Sequence, residues 1–215
     1  MIMKKLKYII SLLAVVSIII LAGCKKESEK LSKITYYPIF NYNGDHFVSV
    51  PVGGSYTDPG VTATLDGKDF PVVKSGTVDF NTAGEYTITY TSTNPDGFPA
   101  YEYRYIGVIT PGAAATDLSG SYTRSAASNV IVTKVADGLY LIDNVAGVDP
   151  TNPSLVAYVV EAYFFNTEGQ TLIVPSQQTP VGFLSCVEGS INDNGFQWIV
   201  INSNYGTKPR IFVKN

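Results

Sequence analysis

Histidine is the usual catalytic base, and this chain has one, His46 in NGDHFVSV. A single imidazole beside a turn reads as a surface or capping residue, and one histidine excludes a multi-histidine metal site by count. Glycoside hydrolysis needs only two carboxylates. The second half offers Glu161, Glu168 and Glu188 with Asp137, Asp143, Asp149 and Asp193. Most fall in or beside turns, where acidic side chains sit for solvation. Glu161 and Glu188 lie inside apolar runs instead; facing inward they would build a polar site, and facing outward, as expected here, they solubilise a strand. NDNG at 192–195 places oxygen side chains before a glycine, but Ile201 stands where a calcium loop needs its bidentate Glu. A hairpin turn explains that segment, and no metal or other cofactor is expected. No stretch matches G-x-S-x-G, a P-loop or H-E-x-x-H. The chain reads as non-catalytic.

Aromatic residues are the other candidates. In AYEYRYIGVI, Tyr101, Tyr103 and Tyr105 alternate with Glu102, Arg104 and Ile106. If Ile106 and Val108 point into a core, strand alternation puts the three tyrosines on the opposite face, about 7 Å apart. Such a stripe suits a sugar, whose C–H faces lie on rings while its hydroxyls bond to neighbouring polar groups. It would equally suit packing against a second lobe, or shielding of cross-strand threonines. Trp198 shares a face with Phe196 and Val200 in FQWIVIN and reads as core. Tyr36, Tyr37 and Tyr42 follow no assignable alternation. Cys186, in VGFLSCVEG, has no histidine or cation nearby in sequence and reads as an inert buried thiol.

The elements that must position these residues are strands. Thr, Val, Tyr, Ile and Phe alternate with polar residues, and Gly, Pro, Asn and Asp recur about every ten positions, the pattern of an all-β chain. TPGAAATD at 110–117 divides two patterned halves. The expected organisation is a first lobe over 34–110, a linker at 111–115 and a second lobe over 116–215. In GEYTITYTST of the first lobe, Tyr86, Ile88 and Tyr90 face inward and Thr87, Thr89 and Thr91 face water. DPG at 58–60, DGKD at 66–69, NTAG at 81–84 and NPDG at 94–97 supply turns. The second lobe reads as successive hairpins: SGSYTR, NVIVTKV, LYLIDNV, VAYVVEAYFF, QTLIVP, FLSCVEGSI, FQWIVIN and RIFVKN. About eight strands joined to their neighbours can close into a small barrel or stack as a two-sheet sandwich.

VPVGGSYTDPGVTA (50–63), SGTVDFNTAGEYTITYTSTNPDG (75–97) and YRYIGVI (103–109) together resemble a bacterial immunoglobulin-like domain. The resemblance implies a seven-strand sandwich of two packed sheets. It also implies a module that serves as a spacer or as an adhesive, glycan-contacting unit. TDLSGSYTRS followed by VTKVADGLYLIDN resembles the C-terminal β-barrel domain, of uncharacterised role, that follows such modules in Bacteroides-type surface lipoproteins.

The N-terminus supplies the address. Lys4, Lys5 and Lys7 precede the 14-residue apolar run Tyr8 to Leu21, then Ala22, Gly23 and Cys24. That run is short of the roughly 20 residues a spanning helix needs, and the three parts make a signal peptide over 1–23. LAGC at 21–24 resembles the lipobox of bacterial lipoproteins, which implies cleavage before Cys24 and acylation of its thiol and new amino terminus. Burial of acyl CH₂ groups, each worth about 0.8 kcal/mol, makes membrane release slow. Lys25 is not the Asp that the resemblance associates with inner-membrane retention, so outer-membrane attachment is expected. KKESEK, within the 24–33 tether, is similar to the export tags of Bacteroides-type surface lipoproteins, though a plain solvated tether would read the same way. Loss of Lys4, Lys5 and Lys7 takes the net charge from −3 to −6. A mildly acidic chain has no footprint for nucleic acid. The expected partners are the membrane, through the lipid, and extracellular polysaccharide or an envelope protein. With Cys24 acylated, Cys186 has no disulfide partner, and both lobes must hold by burial alone.

Overall fold

The structure, a computed structural model, describes residues 34–125 and 128–215. The signal segment, the tether and Cys24 lie outside the described residues.

Seven strands occupy the first lobe. A three-stranded sheet runs in the order β1 (Ile39–Tyr42), β3 (Val61–Leu65), β4 (Lys68–Phe70). A four-stranded sheet runs β2 (Phe47–Pro51), β7 (Pro99–Ile109), β6 (Gly84–Thr93), β5 (Val73–Ser75), with β2 parallel to β7 and the other pairs antiparallel. Turn chemistry sets the connections. Asp66 and Gly67, with φ of 51° and 74°, close the β3–β4 hairpin in the left-handed region that a tight two-residue turn requires. Between the sheets lie Val50, Ile88, Tyr90 and Ile106, with Phe40, Val48, Val61 and Phe80 packed around them.

An arginine sits in this apolar layer. Arg104 is fully buried on the inner face of β7. A buried guanidinium is tolerable only when its charge and donors are matched. Its Nη1 donates to Asp58 Oδ1 and, at 3.0 Å, to the Tyr90 hydroxyl; Nε and Nη2 donate to the carbonyls of Asp45 (2.8 Å) and Asn43 (2.6 Å). The Tyr42 and Tyr90 rings flank it, 5.6 and 5.7 Å from the guanidinium carbon. The other carboxylate oxygen, Asp58 Oδ2, accepts no hydrogen bond of proper geometry and is balanced by the Lys74 ammonium at 3.1 Å. Asp58 therefore does more than shape the DPG turn that its sequence neighbours announce.

The expected linker is a short helix, α1 (Pro111–Ala115). Thr110 caps it by accepting from the Ala113 amide at 3.3 Å, and Ala113 is buried. Eight antiparallel strands follow: β8 (Gly120–Ser125), β9 (Ser128–Ala136), β10 (Leu139–Ile142), β11 (Ala162–Asn166), β12 (Leu172–Thr179), β13 (Gly182–Asn192), β14 (Gly195–Ile201) and β15 (Arg210–Lys214). Each pairs with its neighbour in sequence, and β15 returns to β8, so the sheet closes as a barrel. Closure decides between the barrel and the sandwich, and leaves this lobe no free strand edge.

The barrel interior is aromatic. Tyr122, Tyr140, Phe164, Phe196, Trp198 and Phe212 are each at most 1 % exposed, with rings stacked, tilted or edge-on at centroid distances of 4.8–6.0 Å. The Trp198 indole N–H is satisfied by the Val145 carbonyl at 2.7 Å, confirming its place in the core. One expected strand is shorter than its sequence suggests. In VAYVVEAYFF, Val156–Tyr158 form a 3₁₀ turn and β11 begins only at Ala162. Its partner β10 has four residues, so no ladder is available to extend it.

Candidate functional site

β7 places Arg104, Ile106 and Val108 on the inner side of the sandwich and Tyr101, Tyr103 and Tyr105 on its outer face, as strand alternation requires, while Glu102, beyond the end of the β2 pairing, reaches the cleft between the lobes. Tyr101, Tyr103 and Tyr105 do share that outer face, opposite Thr91, Thr89 and Thr87 of β6. The threonines are half-buried beneath them, not in water. The face is not free surface, however. The barrel docks on its C-terminal half, and the three tyrosines part company: Tyr105 is 6 % exposed, Tyr103 is half-buried and Tyr101 is 51 % exposed.

Close approach of backbones explains the docking. Gly107 follows Tyr105 on the same face, and a Cβ there would run into the Phe165 ring of β11. Gly138, at φ 68° between β9 and β10, would bring a Cβ within 2.6 Å of the Asn166 carbonyl and 2.7 Å of Ile109 Cγ2. Tyr105, Ile109, Ala113, Leu139 and Phe165 form a core of their own at this junction. Polar ties complete it: the Thr110 amide donates to the Thr167 carbonyl at 2.9 Å, Ser49 Oγ to the Asp137 carbonyl and the Tyr105 hydroxyl to the Ser176 carbonyl. Burial pushes the Tyr105 phenol well above its ordinary pKa, Glu85 adding to the effect, so it stays a neutral donor.

Where the docking ends a cleft opens, with a volume of about 430 Å³, inside the size range of small-ligand sites. One wall is the sandwich, with Tyr101, Glu102, Tyr103 and His46. The other is the barrel, with Glu161, Tyr163, Gln178 and Phe183. A row of nearly parallel rings crosses the floor from lobe to lobe. Tyr103 and Tyr105 lie 6.3 Å apart, Tyr105 and Phe47 5.1 Å, and Phe47 and Tyr163 4.3 Å, with interplanar angles of 25° or less. At the rim, Tyr101 and Phe183 present 51 % and 56 % of their surface.

Second contacts hold this lining in place. Tyr42, which no alternation assigned, shares its hydroxyl proton between the Tyr103 carbonyl (2.8 Å) and Glu102 Oε2 (3.1 Å), and accepts from the Tyr103 amide (3.0 Å). Its ring stacks on His46 at 3.4 Å. Partial desolvation holds the His46 imidazole below its ordinary pKa, keeping it neutral near pH 7. Across the cleft, the Gln177 side chain takes the place of a missing strand partner. It accepts from the Tyr163 amide and donates to the Tyr163 carbonyl, both at 2.9 Å, where the β11–β12 ladder has already stopped.

Other sequence candidates separate. Glu161 and Glu188 are both exposed. Glu161 lines the cleft, whereas Glu188 sits at a bulge of β13 with φ 55° and is not among the lining residues. Cys186 packs against the barrel core, and burial pushes its thiol pKa far up. NDNG forms the β13–β14 turn, where Asn192 Oδ1 accepts from the Asn194 amide at 3.0 Å. Tyr163, Phe183 and Gln177 carry no local signal, because only the docking of the two lobes brings them to the tyrosines.

Residues 40–108 match the family model described as bacterial surface protein, Ig-like domain, in agreement with the seven-strand sandwich. Among solved structures, a lipoprotein of Bacteroides thetaiotaomicron is similar to this chain. It is 21 % identical with a TM-score of 0.38, over 83 % of this chain and 100 % of that one. No curated protein matches.

Proposed function

We propose that this chain, whose residues 40–108 form a bacterial surface Ig-like domain, is a non-catalytic outer-membrane lipoprotein that binds extracellular glycan. Acylated Cys24 holds it to the membrane, and the sandwich carries the barrel. The observation that supports the reading is the inter-lobe cleft. Exposed rings stand at its rim, and carboxylate, amide and imidazole groups stand beside them. Pyranose C–H faces stack on Tyr101 and Phe183, and sugar hydroxyls bond to Glu102, Glu161 and Gln178. Confinement of many copies to one membrane raises the apparent affinity for a polymer. Against catalysis, Glu102 is tied to Tyr42, and Glu188 stands away from the cleft lining.

The test is a glycan-array screen of the full-length chain in detergent beside a Tyr101→Ala/Phe183→Ala form. Both rings are rim residues, so their loss leaves the docking core intact; Tyr105 is unsuitable because its removal would open that core. Binding that falls about fivefold or more in the double variant supports the reading, since ring stacking is worth about 0.5–1.5 kcal/mol per ring. Binding that survives unchanged, or turnover of any glycan bound, contradicts it.

A second reading, assembly with another polypeptide, has its own observation. Val187, Ile201, Ile211 and Val213 on β13–β15 are 45–50 % exposed and give the outer barrel wall an apolar face. A pull-down from membranes that retains a partner, lost on Ile211→Lys, would favour it over the glycan reading.

A further inference from the structure

The charge lining the cleft is one-sided. Glu102 and Glu161 face it, and among the described residues no lysine or arginine lines it. Arg104, the nearest guanidinium in sequence, points into the sandwich on the opposite face of β7 and is matched there by Asp58. His46 is neutral near pH 7 and brings no compensating charge. Glu161 is exposed and has no hydrogen-bond or ion-pair partner among the described residues. Of the Glu102 carboxylate, only Oε2 is engaged, by the Tyr42 hydroxyl. Around these two carboxylates stand Tyr101, Tyr103, Tyr163 and Phe183. Ring faces carry the negative end of the aromatic quadrupole, so they attract a cation by the same sign of field as the carboxylates.

A neutral sugar would use the rings and donate hydroxyls to the carboxylates, but it would leave their negative charge uncompensated. An anionic one would be repelled. We infer that the glycan taken by this cleft carries free, protonated amino groups, an amino sugar that is not N-acetylated. This inference rests on the glycan reading of the same cleft and adds the ligand class. The sugar ring stacks at the rim while its ammonium sits between Glu161 and Glu102 against the tyrosine faces.

The probe is a chitosan tetrasaccharide, compared by calorimetry with its fully N-acetylated counterpart, a neutral glucan tetrasaccharide and tri-lysine. The full-length chain in detergent is used just below neutral pH, where a large share of the sugar amines is charged and His46 is still mostly neutral. The expected result is binding of the free-amine sugar about tenfold or more tighter than of the acetylated one, from one ion pair and one cation–ring contact together. Glu161→Gln, which keeps shape and hydrogen bonding at an exposed position, should remove most of that preference and leave the thermal midpoint unchanged. Equal or tighter binding of the acetylated or neutral sugar overturns this inference and leaves the glycan reading standing. Tri-lysine binding as tightly as the tetrasaccharide overturns it too, by showing a general cation site. Silence from all three sugars overturns both.

Discussion

The two lobes solve the same problem, burying enough surface without disulfides, in opposite ways. The sandwich encloses a charged centre: Arg104 is matched by Asp58, Tyr90 and two backbone carbonyls, with Lys74 closing the network from outside. The barrel encloses rings, from Tyr122 round to Phe212, and closes its sheet on itself. An open sandwich of three and four strands has edges to register, and a buried ion pair joining the loop before β3 to β7 specifies one arrangement of them. A closed barrel is registered by its own ladder and needs only volume. The barrel matches most of its buried polar side chains locally, Gln177 and Asn144 among them, but both amide atoms of Asn166, which is fully buried, lack partners.

That contrast can be broken most severely at Asp58. Asp58→Asn should destabilise the sandwich by about 3–5 kcal/mol, because it strands a buried guanidinium. Denaturant unfolding followed by far-UV circular dichroism reads the loss. A change below 1 kcal/mol would mean that the ion pair does not organise the sandwich. Asn166→Leu, in the barrel, should act in the other direction and raise stability by about 1 kcal/mol, since it replaces two unpaired amide atoms by apolar ones of similar shape. The same denaturation series sharpens the comparison, for a loss at Asn166 would show that this amide is matched after all.

The smallest effect concerns pH. Burial raises the Glu85 carboxyl pKa above its ordinary 4.5, partly offset by the Thr87 hydroxyl. A raised acid pKa means that folding disfavours the ionised form. Its contribution is then most favourable below the unfolded pKa and is lost as pH rises through the folded one. Glu85→Gln should therefore raise the thermal midpoint at neutral pH by about 1–2 °C, with the gain vanishing in acid below the ordinary value. Calorimetry across that range checks it.

Local pattern was a sound guide wherever local physics decides structure. Alternation buries Ile106 and Val108, Ile106 in the inter-sheet core, and sets the three tyrosines on one face, and the hairpin turns at ADG and NDNG lie where their residues demand. Long-range encounters escaped it. DPG at 58–60 is a turn signal, and nothing nearby announces that its aspartate meets Arg104, 46 positions away. Tyr105 looked like its two neighbours, yet it is buried because Gly107 lets the barrel approach at that end of β7 and not at the other. Glu161 stood out as a carboxylate in an apolar run, but its place on the cleft follows from the short β10, which delays β11 until after it.

The central claim is that docking of the two lobes, and neither lobe alone, makes the binding site. A crystal structure of the full chain with chitosan tetrasaccharide tests it most directly. The account predicts the sugar in contact with Tyr101 and Glu102 on one side and with Glu161 and Phe183 on the other. Sugar seated on the barrel wall or on the sandwich away from the cleft would contradict it.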